Sequence, residues 1–501
     1  MKITGRQIAK GAAWMVLFKF AERGMGLAST IILARLLLPQ DFGLIALAMA
    51  VVAVLELLGA FSFDMALIQN QNAQRRHYDT AWTFNVIFAV FGALLLTLIA
   101  APMASFYAEP RLMHVMYWLA LGTLVQGFEN IGVVAFRKQM EFNKEFRFLV
   151  GKKIAAVIVT IPLAFILESY WALVIGILTG KCAGVALSYM IQAYRPRFSL
   201  AAYHELFHFS KWMLLNNIMN FLRFRTADFI VGKFGGPHAL GLYSVAFEIA
   251  NLPTTELVAP INRAVFPGYA KMSHDPEELR RGFIGVAAVI TLFSLPAALG
   301  IAVTADLLVP VMLGPNWLEA IPLIQVLAIS GALIAIQNNN TPALLALDKP
   351  ALATYLGAFT VILLLPSIFV LTKHYGATGT VWAYLGCTLL AFPVNYYFVL
   401  KAIRLPARRI LVELWRPLLA VILMSMVVRG YVGGVADTMA VLLQILHLFA
   451  AAALGAVTYI AAIVALWRLA GCPAGAEQHV LSYLQQRLRR RAAPPSVDPA
   501  P

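Results

Sequence analysis

Two clusters of polar residues interrupt otherwise apolar sequence. Lys19, Glu22 and Arg23 lie within the stretch 12–37, and Asn216, Asn217, Asn220, Arg223, Arg225 and Asp228 lie within 208–234. Lys19 and Arg23 are four residues apart and share one face of a helix. Asn216, Asn220 and Arg223 share another such face, while Arg225 points the other way, nearer Asp228. A charge held inside lipid is expensive, so it faces a cavity or a partner. Arginine suits an oxyanion because its planar fork donates two parallel hydrogen bonds. Lys19, Arg23, Arg223 and Arg225, with Asn216 and Asn220 beside them, are therefore the candidate anion-binding residues. The competing assignment is internal pairing, Glu22 with Lys19 or Arg23 and Arg225 with Asp228. Lys152, Lys153 and Lys181 are weaker candidates. Lys152 and Lys153 are expected to open a helix, where lysines commonly reach back to the interface.

The acids Glu56, Glu129, Asp228, Glu248 and Glu256 also fall in apolar stretches. A carboxyl in a low-dielectric cavity can take up and release a proton during a cycle, and so couple movement to a proton or sodium gradient. The alternative is an acid paired with one of the arginines. Gln325, Gln337, Asn338, Asn339 and Asn340 make another stretch polar. They are expected to bind sugar hydroxyls or to bond neighbouring helices. Pro253 and Pro260 should bend their helix. Cys182, Cys387 and Cys472 show no disulfide or metal-ligand spacing. No catalytic residue, metal site or resident cofactor is expected.

The elements that carry these residues are membrane spans. The 501-residue chain is 61% hydrophobic and only 13% charged, with a mean hydropathy of +0.77. Soluble domains carry about a quarter charged residues. Stretches of spanning length recur near 12–37, 43–63, 80–102, 112–134, 148–168, 170–192, 208–234, 239–260, 283–303, 320–346, 351–372, 378–400, 411–432 and 440–467. The fold class is thus an all-α polytopic membrane protein of about fourteen transmembrane helices. Lysine and arginine collect in alternate loops, at Arg75–Arg76, Arg137–Arg147, Arg195–Lys211, Arg263–Arg281, Lys401–Arg416 and in the tail. The positive-inside rule then puts both termini in the cytoplasm. The first apolar run is too long, and too charged, for a cleavable signal peptide. The formal net charge of +15 is spread over many short loops, which suits anionic lipid headgroups rather than nucleic acid. Trp118, Trp171, Trp317 and Trp382, with Trp14 and Trp212, sit near expected helix ends, as an interfacial belt requires.

The chain also repeats itself. Residues 12–48 and 210–246 align without a gap at an offset of 198. Trp14/Trp212, Met15/Met213, Leu17/Leu215, Ile32/Ile230, Pro39/Pro237, Gly43/Gly241 and Leu44/Leu242 are identical, and Arg35/Lys233 keep their charge. Six helices separate the copies, so the repeats are parallel, and a central site between repeated halves is the usual transporter plan. The expected organisation is two pseudo-symmetric six-helix bundles, 1–200 and 201–400, then two further transmembrane helices in 401–470. A cytoplasmic tail, 471–501, follows. Within it Val480, Leu481, Leu484 and Leu488 alternate with arginines as a short basic amphipathic helix, and the last Pro-rich residues are expected to be disordered. Asp275 and Pro276 mark a helix start.

The motif ARLLLPQDFGLIALA (34–48) with GAAW (11–14), and its second copy VGKFGGPHALGLYSVA (231–246), resemble the polysaccharide-transporter branch of the multidrug/oligosaccharidyl-lipid/polysaccharide flippase superfamily. The likeness is strongest to its Wzx-type, colanic-acid-exporter-like group. It covers about residues 5–400. The resemblance implies a flippase that moves undecaprenyl-diphosphate-linked oligosaccharide from the cytoplasmic to the periplasmic leaflet by alternating access, for exopolysaccharide, O-antigen or capsule synthesis. It implies a bacterial inner membrane, with a polysaccharide polymerase among the partners. The candidate anion-binding cations would then hold the diphosphate. The alternatives are a lipid II flippase and a multidrug exporter of the same superfamily. A cationic drug would favour an acidic path, against the excess of arginine and lysine here. A glycosyltransferase or polymerase would need a large loop with carboxylates, so an enzyme is not expected.

Overall fold

The computed structural model describes residues 22–58, 63–69, 72–139, 141–258, 261, 265, 268–269, 271–434, 441–473 and 478. Side chains at 56–58, 65–66, 69, 142, 205–220 and 223–224 lie outside the description. Among the described residues every regular element is a helix, as lipid demands: only a helix or a closed barrel satisfies every backbone group without water.

Residues 22–36 form α1. There follow α2 (Pro39–Leu58), α3 (Phe63–Gln69), α4 (Arg75–Tyr107), α5 (Arg111–Gly127), α6 (Val134–Lys138), α7 (Phe142–Leu167), α8 (Trp171–Ile191) and α9 (Tyr203–Ala250). The chain continues through α10 (Pro276–Met312), α11 (Ala320–Gln337), α12 (Asn340–Ala346), α13 (Pro350–Ile403), α14 (Ala407–Gly433) and α15 (Val441–Leu469). The two longest are each broken at one glycine with positive φ, Gly236 (73°) in α9 and Gly376 (59°) in α13. That conformation is open to glycine without a Cβ penalty. α5 and the 3₁₀ turn leading into α6 are bent by 64°. Splitting α9 and α13 at their breaks, taking α5–α6 and α11–α12 as one span each, and setting aside the seven-residue α3, gives the expected fourteen segments among the described residues. Among the described residues eight helices are long and apolar enough to cross a membrane on length and composition alone. α9, which carries the polar seventh stretch, is not among them.

The sequence marks the helix ends. Asp275 caps α10, its Oδ1 accepting from the amides of Glu277 (2.8 Å) and Glu278 (3.3 Å), as the Asp–Pro signal predicts. After Pro253 a π-helical turn, Thr254–Val258, replaces regular helix. Proline removes a donor and crowds the preceding turn.

The chain divides into two compact units that do not follow the repeat. One comprises residues 1–244, 312–317 and 372–377, and the other 245–311, 318–371 and 378–501. In the first, α4 packs on α5, α7 on α8, and α5 on α8. In the second, one apolar core runs through α10, α11, the second part of α13, α14 and α15. The two additional helices dock there, with the Tyr459 hydroxyl donating to Leu292 O at 2.9 Å and Arg429 paired with Asp306.

One expectation is corrected. Trp317 is not a belt residue: it is fully buried. Its indole N–H donates to Ala34 O at 2.7 Å and its ring meets Phe42 edge-on at 5.2 Å. A buried indole needs an acceptor, and the carbonyl near the end of α1 supplies one.

Candidate substrate-path and coupling residues

Lys19 lies outside the described residues; Arg23 is half-buried in the described part of α1. Asn216, Asn220 and Arg223 have their backbone in α9 and their side chains outside the description. Two residues further, Arg225 Nη1 donates to Asp228 Oδ2 at 3.3 Å. The arginine side chain is half exposed and the aspartate nearly buried. Internal pairing therefore describes this residue pair.

The acids fall into two groups. Glu56 lies in α2 with its side chain outside the description, and Glu248 and Glu256 are half-buried in the second part of α9 and in the π turn. Glu129, by contrast, has a clear partner. It sits where α5 breaks before the 3₁₀ turn, and its Oε2 accepts from Lys152 Nζ at 2.8 Å. The ammonium also stands 5.1 Å from the Phe148 ring centroid, within cation–π range. Gly184 of α8 makes room for the pair: a Cβ there would stand 2.7 Å from Lys152 Cε and 3.0 Å from Glu129 Oε2. Both side chains keep about a quarter of their surface exposed. This corrects two expectations. Lys152 and Lys153 do not open their helix, which begins at Phe142. The partner of Glu129 is a lysine from α7, not one of the arginines. Lys181 lies three residues from Gly184 on α8, its Cδ 3.1 Å from where a Cβ on Gly122 of α5 would be.

The amide-rich stretch is used largely by the protein itself. Gln337 Oε1 accepts from Asn395 Nδ2 at 2.8 Å. Asn339, fully buried, accepts from the Tyr269 hydroxyl at 2.8 Å and donates to Phe283 O at 3.2 Å. Helix-to-helix bonding is thus the role the geometry gives these two.

One polar cluster was not singled out from the sequence. The segment 192–200, between α8 and α9, has no regular secondary structure and is held by α4. Asp79 accepts from the Tyr194 hydroxyl and, at 2.9 Å, from the Arg197 amide. Thr83 Oγ1 accepts from Ser199 N at 2.9 Å and Thr80 Oγ1 from Ala202 N at 3.2 Å. Burial first, then the Asp79 carboxylate, pushes the Tyr194 phenol well above its ordinary range, so it stays a donor. The available signal was the run Asp79, Thr80, Thr83, three short polar side chains in the first turns of an apolar helix.

Two solved structures share this architecture. The lipid II flippase MurJ in its inward closed conformation matches with a TM-score of 0.73 at 12% identity, over 90% of this chain and 99% of that one. An inward-facing multidrug resistance MATE family transporter of the MOP superfamily matches at 0.59 and 13%, over 79% and 100%. The fold is that of the polytopic helical flippases and transporters of this superfamily. The sequence narrows it: residues 32–322 match the polysaccharide biosynthesis protein family, and the chain belongs to that family. It is 24% identical over 417 residues to the lipopolysaccharide biosynthesis protein WzxC of Escherichia coli (strain K12), 81% of this chain and 84% of that protein. It is also 24% identical to the succinoglycan biosynthesis transport protein ExoT of Rhizobium meliloti (strain 1021), over 85% and 87%.

Proposed function

We propose that the chain flips undecaprenyl-diphosphate-linked polysaccharide repeat units from the cytoplasmic to the periplasmic leaflet of a bacterial inner membrane, by alternating access. The observation that carries this is the coincidence of a polysaccharide biosynthesis sequence with a flippase fold along most of one chain. Both termini are cytoplasmic, and the product passes to a polymerase. No covalent bond is made or broken; the protein supplies a polar path for a headgroup that lipid excludes. Arg23 and Arg223 bind the diphosphate, with Lys19, Asn216 and Asn220 alongside. Arg225, already shared with Asp228, contributes second. Coupling runs through an acid, and Glu56 and Glu248 are the preferred carriers because each sits in the helix that directly follows the polar first helix of its repeat; Glu129, Asp228 and Glu256 are further candidates. The test is transfer of labelled lipid-linked oligosaccharide across proteoliposomes, with and without a pH or sodium gradient.

The MurJ likeness favours one second reading, lipid II as cargo. Offering the two lipids in competition separates them: a flippase for polysaccharide units is not inhibited by an equal concentration of lipid II.

A further inference from the structure

The two copies of the repeated motif touch each other. One hydrogen on Gly43 Cα points at the carbonyl oxygen of Pro237: a Cβ built in its place would overlap that oxygen and stand 2.9 Å from Gly241 N. The reverse also holds. A Cβ on Gly241 would overlap the Pro39 carbonyl oxygen and stand 3.0 Å from Gly43 N. The first turns of α2 and of the second part of α9 thus cross backbone to backbone, related by a local two-fold. Pro39/Pro237 and Gly43/Gly241 are among the positions the repeat keeps identical. Small residues permit such an approach, and Cα–H to carbonyl contacts recur where helices cross this closely. A self-complementary contact is what a two-fold produces, since each copy presents the same patch to the other.

The flanks repeat the pattern. Lys233, the counterpart of Arg35, donates to Phe106 O at the end of α4, and its Nζ lies 4.0 Å from the Phe106 ring centroid. On the other side Trp317, just after α10, donates to Ala34 O beside Arg35. The corner after α4 thereby holds the second copy of the motif, and the corner after α10 holds the first. All these residues belong to one compact unit. They lie at the face that the lysine and arginine pattern assigns away from the cytoplasm.

Resting on the flippase reading, we propose that this proline–glycine interlock is the outer gate of the path, and that it separates and re-forms in every transport cycle. A headgroup leaving between the repeat copies meets here two backbones in contact, with not even a methyl group's space between them. The crossing also adjoins Gly236, whose positive φ already breaks α9 at that point, so its two parts can swing about a few torsions. A permanent joint would have the same contacts but would never part.

Two readouts distinguish these, in a background with Cys182, Cys387 and Cys472 changed to serine. The first uses Leu47→Cys. Leu47 is fully buried, against Gly232 of the other copy. In right-side-out membranes a membrane-impermeant maleimide should label this cysteine if the gate opens; a permanent joint leaves it unlabelled. The second uses Phe106→Cys/Lys233→Cys, bridged by a short, reducible bis-thiosulfonate reagent. Bridging should lower flipping of labelled lipid-linked oligosaccharide at least tenfold, reduction should restore it, and each single cysteine treated alike should keep its rate. Unlabelled Leu47→Cys together with full flipping by the bridged protein would overturn the gate. A wild-type protein that flips nothing, but whose Leu47→Cys labels, would keep the gate and reject the cargo.

Discussion

At the residue scale, the Glu129–Lys152 pair is the best-defined polar contact inside the helices of the first compact unit. It is neither solvent-exposed nor fully buried. Its worth therefore falls between the roughly 0.5 kcal/mol of an exposed pair and the roughly 3–5 kcal/mol lost when one partner of a buried pair is removed. We expect Glu129→Gln to lower stability by about 1–3 kcal/mol, and Lys152→Met by a similar amount. The double variant should lose less than the sum, because neither charge is then stranded. Thermal unfolding in detergent measures the cycle; strictly additive losses would show that the two side chains do not act as a pair. The sequence exposed both residues as charges in apolar stretches. It hid their partnership, because that depends on where α5 breaks and how far Lys152 lies from the start of α7. Trp317 was hidden for a related reason: closeness to a helix end looks the same in sequence whether the indole faces headgroups or a carbonyl of another helix.

At the scale of elements, the segment between α8 and α9 is a strap, not a loose tether. Its backbone donors go to Asp79, Thr80 and Thr83, and its carbonyls are used as well: Asn130 Nδ2 donates to Tyr194 O at 2.6 Å and Arg75 Nη2 to Arg195 O at 3.1 Å. Asp79→Ala strands a hydroxyl and an amide together, a cost of about 1–3 kcal/mol for a buried donor left without its acceptor. The strap should then come away from α4, and trypsin should cut after Arg197 in the variant while sparing the wild type. Asp79→Asn keeps an acceptor and should stay resistant. Cleavage of both proteins at the same rate would mean that these bonds do not hold the strap. Helix existence and number were legible along the chain, because twenty apolar residues in a membrane leave the backbone few choices. The breaks were less so. Gly236 and Gly376 are two of 34 glycines, and only the bend itself shows which ones carry positive φ. The proline–glycine crossing lay in plain view as repeated letters, yet sequence identity between two copies does not say that the copies touch.

At the scale of the whole molecule, the repeat, the flippase fold and the family sequence converge on one kind of work. The charge alternation makes an independent statement about orientation. Reporter fusions after residues 75, 140 and 405 should read cytoplasmic, and fusions near 108, 235 and 375 periplasmic. A periplasmic signal at 140 would overturn the arrangement of the first half and, with it, the placing of the interlock on the outer face. The candidate anion site was legible as residue types on α1 and α9, where sequence alone could set cations four apart on a face but could not say which were already paired; for Arg225 the answer is Asp228. The central claim is that this chain carries a lipid diphosphate oligosaccharide across the bilayer using cations in its path. The most direct measurement is the rate at which purified protein in proteoliposomes exposes labelled undecaprenyl-diphosphate-linked oligosaccharide to an external, impermeant probe. We predict flipping by the wild type, a loss of at least tenfold in Arg23→Ala and in Arg223→Ala, and partial recovery in the lysine variants, whose point charge lacks the bidentate fork. Wild-type rates in both alanine variants would contradict the cationic path, and a wild-type protein no faster than empty liposomes would contradict the account as a whole.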